Sequence, residues 1–100
     1  YIVYNFDKGN DKMNKDINKL RKKINDIDLE LSKLIEKRLN LVKEIGIYKK
    51  NNHLNIEDKE REKVVYSQHL NLISAENKDA YLNIFQEIVK QSKILQNNNK

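Results

Sequence analysis

One hundred residues, 38% hydrophobic and 35% charged with a formal charge of +5, make one small domain whose own core is thin and whose surface is basic. The chain has no cysteine and no proline, and only two glycines, which excludes disulfides and thiolate chemistry and argues against a turn-rich β fold. No apolar run approaches the ~20 residues of a membrane span.

A chain of this size buries only about 60–65% of its unfolded surface. Dimerisation relieves that shortage. A basic balance suits nucleic acid, an anionic surface or a small anion. Here the Lys and Asn content spreads over every exposed face, so net charge decides little. His53 and His69 are too isolated to build a metal site and receive no role. The opening Tyr1-Ile2-Val3-Tyr4 is too short for a signal-peptide core, so a cytoplasmic protein without membrane association is expected.

Residues 1–14 carry no clear period and read as an N-terminal extension, with a helix start near Asp11 or Asn14. From Ile17 the pattern is strong. Ile17, Leu20, Ile24, Ile27, Leu31, Leu34, Arg38, Leu41, Ile45 and Tyr48 alternate spacings of three and four, a heptad seam. The spacing predicts a helix from about Lys15 to Lys50, roughly 50 Å long at about 1.5 Å per residue. Its seam should pack on a helix of similar length, most simply a second copy of itself. Gly46 weakens this helix locally by about 1 kcal/mol relative to alanine.

Asn51 to Asn55 read as a loop. A second helix is expected from there, with Asn55 as N-cap and Asp58 in capping-box register. Its inward stripe reads Asp58, Arg61, Glu62, Val65, His69 and Leu72. Ser74 to Asn77 make a second connection. The third helix places Tyr81, Ile84, Phe85, Ile88, Val89, Ser92, Leu95 and Gln96 on one face and frays into Asn97–Lys100. The fold class is therefore all-α, one long helix and two shorter ones, with a domain over 15–97.

The informative residues are polar ones on these inward stripes. Arg38 occupies a seam position, and Lys49 follows it three turns later from nearly the same side. Asp58, Arg61 and Glu62 open the second stripe; Ser92 and Gln96 continue the third. An unpaired buried charge costs several kcal/mol, so such residues persist where something satisfies them. Singly, each has a structural reading. Arg38 can snorkel or fix register. Asp58 can cap a helix, and Lys49 can complement a helix dipole. Arg61 and Glu62 can be surface charges, Arg21 a solvated flank residue, and Ser92 and Gln96 a solvent boundary. Jointly, the cations suit a small dianion and the carboxylates suit a hydroxyl, but the pattern leaves the ligand unnamed.

The run Leu20-Arg21-Lys22-Lys23-Ile24, then Ile27-Asp28, Leu31, Leu34, Ile35, Arg38 and Leu41, resembles the all-α chorismate mutases. The likeness continues through Val42, Glu44-Ile45-Gly46 and Lys49, through Ile56 to Glu62, and through Ile84 to Ile88 with Ser92 and Gln96. It implies an intertwined homodimer with two shared active sites, rearranging chorismate to prephenate for aromatic amino acid biosynthesis without cofactor or metal. It implies that Arg21 reaches into the partner's site and, with Arg38, clamps the two substrate carboxylates. Lys49 and Gln96 would bind the ether oxygen, Glu62 and Asp58 the ring hydroxyl. Arg61 and Ser92 match positions that support or contact a carboxylate. A partner contribution agrees with distance, since Arg21 and Arg38 lie about 25 Å apart along one straight helix.

Two alternatives remain open at this point. A lyase of the same fold eliminates pyruvate from isochorismate, but its relatives tend to lack the acidic pair matched by Asp58 and Glu62. A non-enzymatic helical dimerisation or nucleic-acid-binding module fits the seam and a pI of 9.3. Against it, the basic residues singled out above line inward faces.

Overall fold

The apolar period, uninterrupted by proline, produces three α-helices. The structure, a computed structural model, describes residues 12–98, with side chains described from Lys15 onward. The helices are α1 (Lys12–Asn51), α2 (Lys59–Leu70) and α3 (Lys78–Asn97), with a 3-10 turn at Ala75–Asn77 before α3. No strand occurs among the described residues. No described helix is long and apolar enough to cross a membrane. The extension expected over 1–14 lies outside the described residues as far as Asp11, and so do Asn99 and Lys100. The expected helix start at about Lys15 moves back to Lys12, and Asn14 lies inside the first turn.

The chain divides into two units between Arg38 and Leu39. In the first, α1 carries its seam uncovered. Ile17, Leu20, Ile24, Ile27, Leu31 and Leu34 are all 40–62% exposed. Fully covering one such side chain stabilises by about 1.5–3 kcal/mol, so a face of this kind is costly in water.

In the second unit the remainder of α1 joins α2 and α3. The stripe that α1 buries there is not the expected seam but its neighbour, one position on. Val42 and Gly46 are buried and Leu39 and Lys49 half-buried, while Leu41, Ile45 and Tyr48 stay exposed. Both stripes follow the helical three–four spacing, so this part of α1 has an apolar face covered from within the chain and a second left open. Gly46 falls on the covered stripe, where it adds no side chain to be accommodated.

The centre of this unit is Phe85, 7% exposed. Tyr66 and His69 of α2 meet its ring edge-on at centroid distances of 5.4 and 4.7 Å. Tyr81, one turn earlier on α3, stacks on it at 5.8 Å. Such aromatic pairs add about 0.5–1.5 kcal/mol each beyond burial. The Tyr81 hydroxyl hydrogen-bonds His69 Nδ1, which satisfies two polar atoms beside the ring cluster. His69 is therefore a structural residue joining the end of α2 to the start of α3.

Two expectations are corrected. Leu72, placed on the inward stripe of α2, lies past its end and is 84% exposed, and Ile84 is 61% exposed although its α3 neighbours face inward. Nothing described in this unit covers either. Second, the N-cap of α2 is Asp58 rather than Asn55. The Asp58 carboxylate accepts the Arg61 N–H at 3.0 Å, and its carbonyl accepts the Glu62 N–H at 3.0 Å. Asp58 thus satisfies the exposed amides of the first turn itself, and Asn55 stays in the loop.

The end of α1 is closed by two backbone bonds, Leu54 N–H to the Lys49 carbonyl at 2.8 Å and His53 N–H to the Lys50 carbonyl at 3.3 Å. Between them His53 sits at φ 55°, in the left-handed region. This is a Schellman closure, with histidine where glycine is favoured. An L-residue there costs about 1–2 kcal/mol. His53→Gly is expected to raise unfolding stability by about 1 kcal/mol, partly offset by the freer unfolded chain. Urea unfolding at fixed protein concentration checks this, and a lower midpoint would contradict the closure.

Candidate active site

The closure of α1 turns the chain back over Lys49, which is half-buried in the last helical turn. Its Nζ donates to the Ile56 carbonyl at 2.7 Å. A cation is favoured at this end of a helix, where unpaired carbonyls carry partial negative charge. Around it opens a cleft of about 360 Å³, lined by Lys49, Leu54, Asn55, Glu57, Asp58 and neighbouring side chains. Sequence reasoning placed Lys49 and Asp58 in one site, and they share this cleft. Asp58 is exposed and acts here as the cap described above. Arg61, next on the expected inward stripe, is also exposed, and its backbone N–H donates to the Asp58 carboxylate.

Glu62, one turn into α2, is half-buried and ion-paired. Lys93 of α3 approaches Glu62 Oε1 at 2.8 Å and Glu57 Oε1 at 3.0 Å. The Lys93 ammonium is held above its ordinary range by its hydrogen bonds to Glu62, first, and Glu57. The Lys93 hydrogen bond in turn holds the Glu57 carboxyl below its ordinary range, helped by the charges of Lys93 and Lys59. Both Lys93 and Glu57 stay ionised around neutrality. A second cleft, about 410 Å³, is lined by Glu62, Tyr66, Val89, Lys93 and Ile94 among others. Glu62 therefore opens onto a different cleft from Lys49.

On α3, Ser92 is 5% exposed and its Oγ donates to the Ile88 carbonyl at 2.7 Å. That bond satisfies a hydroxyl which would otherwise be costly to bury. Gln96 is half-buried, with Oε1 shielded from solvent and without a hydrogen-bond partner among the described residues. Neither residue lines the two clefts above. Arg21 and Arg38 are half-buried on the first unit's part of α1, and neither is without an interaction partner.

Lys93 is the residue that sequence reasoning missed. A signal for it existed: Phe85, Val89 and Lys93 repeat at four-residue spacing, so a cation continues an apolar stripe. Its partners could not be read, because Glu57 lies 36 positions away. Among the described residues, no group of three or more His, Cys, Asp or Glu side chains is placed to hold a metal ion.

Comparison with known proteins names the family. The family model for chorismate mutase type II matches residues 20–97. A chorismate mutase of Methanocaldococcus jannaschii is 37% identical over 79 residues, which are 77% of this chain and 80% of that relative. No solved structure matches significantly. The matched stretch takes in most of α1 and all of α2 and α3, and with it every polar residue singled out above, so the chain belongs to the chorismate mutase type II family.

Proposed function

We propose that two copies of this chain form a homodimer that rearranges chorismate to prephenate in sites to which both copies contribute. The observation that carries the reading is that the family match over 20–97 spans the whole proposed residue set, from Arg21 to Gln96. The open seam of α1 supports the dimer. It presents apolar side chains at three–four spacing that nothing in their own unit covers, and a second copy supplies a complementary surface. The cytoplasm, expected from the sequence, is the compartment this reading assigns. The domain is taken as residues 15–97.

The reaction is an intramolecular [3,3] rearrangement in which one ether C–O bond breaks as one C–C bond forms. It is unimolecular, so side chains contribute by holding the reactive pose and by stabilising charge. Arg38 and the partner copy's arginine at position 21 would hold the two carboxylates, folding the enolpyruvyl arm over the ring and lowering the entropic barrier. Arg61 and Ser92 would support or contact a carboxylate. Ser92 would have to turn its hydroxyl away from Ile88 to donate.

Lys49 and Gln96 would face the ether oxygen, where negative charge develops as the bond stretches. Lys49 spends one proton on Ile56 and has two more to give. Gln96 would have to turn its Nε2 amide, the donor end, to the ether oxygen. Its shielded Oε1, without a partner among the described residues, is an acceptor and would be satisfied only by a donor on the guest or on the second copy. Glu62 and Asp58 would accept from the ring hydroxyl.

Loss of chorismate absorbance on adding purified protein, with prephenate identified as product, tests the function. Isochorismate assayed alongside, with pyruvate as readout, tests the lyase alternative. Lys49→Ala is expected to lower kcat by about 10²–10³ while the circular dichroism and the elution volume of the protein stay unchanged. Near-normal turnover would remove Lys49 from the ether oxygen. Arg21→Ala and Arg38→Ala, each inactive alone, are expected to regain activity when mixed and exchanged, because one site of each mixed dimer recovers both arginines. Fully exchanged mixtures without activity would rule out a shared site. Asp58→Asn is expected to preserve stability, since asparagine caps as well as aspartate, whereas Asp58→Ala should lose about 1 kcal/mol. Thermal melts of the two variants separate the cap from any effect on turnover.

A further inference from the structure

Lys93 has no place in the scheme above, yet its ammonium makes two ion pairs in the second unit. Its Nζ lies 2.8 Å from Glu62 and 3.0 Å from Glu57, with the Lys93 side chain 34% exposed and that of Glu62 24% exposed. Ion pairs between fully exposed side chains contribute little, because water screens them and long side chains lose freedom in making them. A pair drawn this far from solvent is more strongly coupled and more fixed in geometry. Lys93 also follows Ser92 directly, and Glu57 directly follows Ile56, whose carbonyl holds Lys49. One ammonium therefore ties α3 to the segment entering α2 and to the first turn of α2.

We propose that Lys93 is a positioning residue for substrate recognition: it grips one oxygen of Glu62 and so fixes the direction in which that carboxylate meets the ring hydroxyl. The proposal rests on the reading of Glu62 given above. Both Lys93 contacts use a single oxygen of each carboxylate. A carboxylate has two acceptor oxygens, and one held by a lysine leaves the other oriented for a hydroxyl donor. Without the lysine, Glu62 would border its cleft as a partly desolvated anion that has lost its paired cation. The relaxed arrangement then swings the carboxylate toward water and away from a guest. The other charged group lining the cleft is Lys90 of α3, which is exposed and lies one turn before Lys93 on the same helix.

A purely architectural ion pair would hold α2 against α3 without regard to what the substrate carries. The two roles part on a substrate without the hydroxyl. Lys93→Met is expected to lower kcat/KM for chorismate by about 10- to 100-fold, the scale of a misplaced contact. On a chorismate analogue lacking the ring hydroxyl it should match the unmodified protein. In a Glu62→Gln background the same change should add little further loss, since the group it orients is already altered. Lys93→Arg should restore most of the activity. Lys93→Gln, which keeps length and polarity, takes the place of the methionine variant should that one fail to fold. Equal losses on chorismate and on the analogue, or full additivity with Glu62→Gln, would overturn the proposal. So would unchanged turnover of chorismate by Lys93→Met. Absence of chorismate turnover by the unmodified protein would instead overturn the reading of the whole site, and this role with it.

Discussion

The structure depends on an apolar stripe that the described residues leave uncovered. Along the first unit's part of α1, isoleucine and leucine side chains stand in water at the spacing of a helix–helix seam. The second unit has a small core of its own around Phe85, but its α2 buries none of its residues. A chain built this way has little apolar burial to set against the entropy of ordering its backbone, about 1–2 kcal/mol per residue. The missing burial has to come from another surface, and a self-complementary seam is the simplest source. In the proposed homodimer folding and association would be one process, and stability would depend on protein concentration.

The same constraint explains which charged residues matter. Where a long helix is shared between copies, a residue near one end of it can serve a site built mainly by the other copy. Arg21 is the candidate, and it belongs to a different unit from Lys49, Glu62 and Gln96. Under the proposed reading a lone chain is incomplete in two respects, in its core and in its chemistry. Both shortages are met by one event under the proposed reading, so loss of the seam should abolish the chemistry without touching a polar residue.

Much of this was legible in the residues. The absence of proline and the unbroken seam fixed the number and order of helices, and Ser92 falls on the inward face of α3 where the period puts it. Asp58 was legible as a capping residue, but the N-cap position itself was given to Asn55. Asn55 and Asp58 both suit that place, and the choice depended on where the loop is drawn in by Lys49 and Ile56. The stripe that the second half of α1 buries within the chain is a second one, which the reading of the seam did not include. Leu39, Val42 and Gly46 satisfy the same spacing as Arg38, Leu41 and Ile45, and only tertiary packing decides which of two adjacent stripes turns inward. The Lys93 pairs were out of reach for a similar reason: opposite charges more than 30 positions apart carry no local pattern.

Several polar groups serve the architecture and the proposed site at once, which limits how they can be exchanged. The Lys49 carbonyl closes α1 while its ammonium holds the Ile56 carbonyl. The Asp58 carboxylate caps α2 while lining the cleft beside Lys49. Glu62 is one corner of the ion-pair set that links α2 to α3. Loss of one such side chain leaves its former partner unsatisfied as well, and that penalty exceeds the modest net worth of the bond. Conservative replacements that keep the structural half of each role, such as arginine for Lys93 or asparagine for Asp58, are therefore more informative than truncation. They leave the helix ends and the α2–α3 link in place, so that what changes can be assigned to the chemistry of the group and not to the collapse of what holds it.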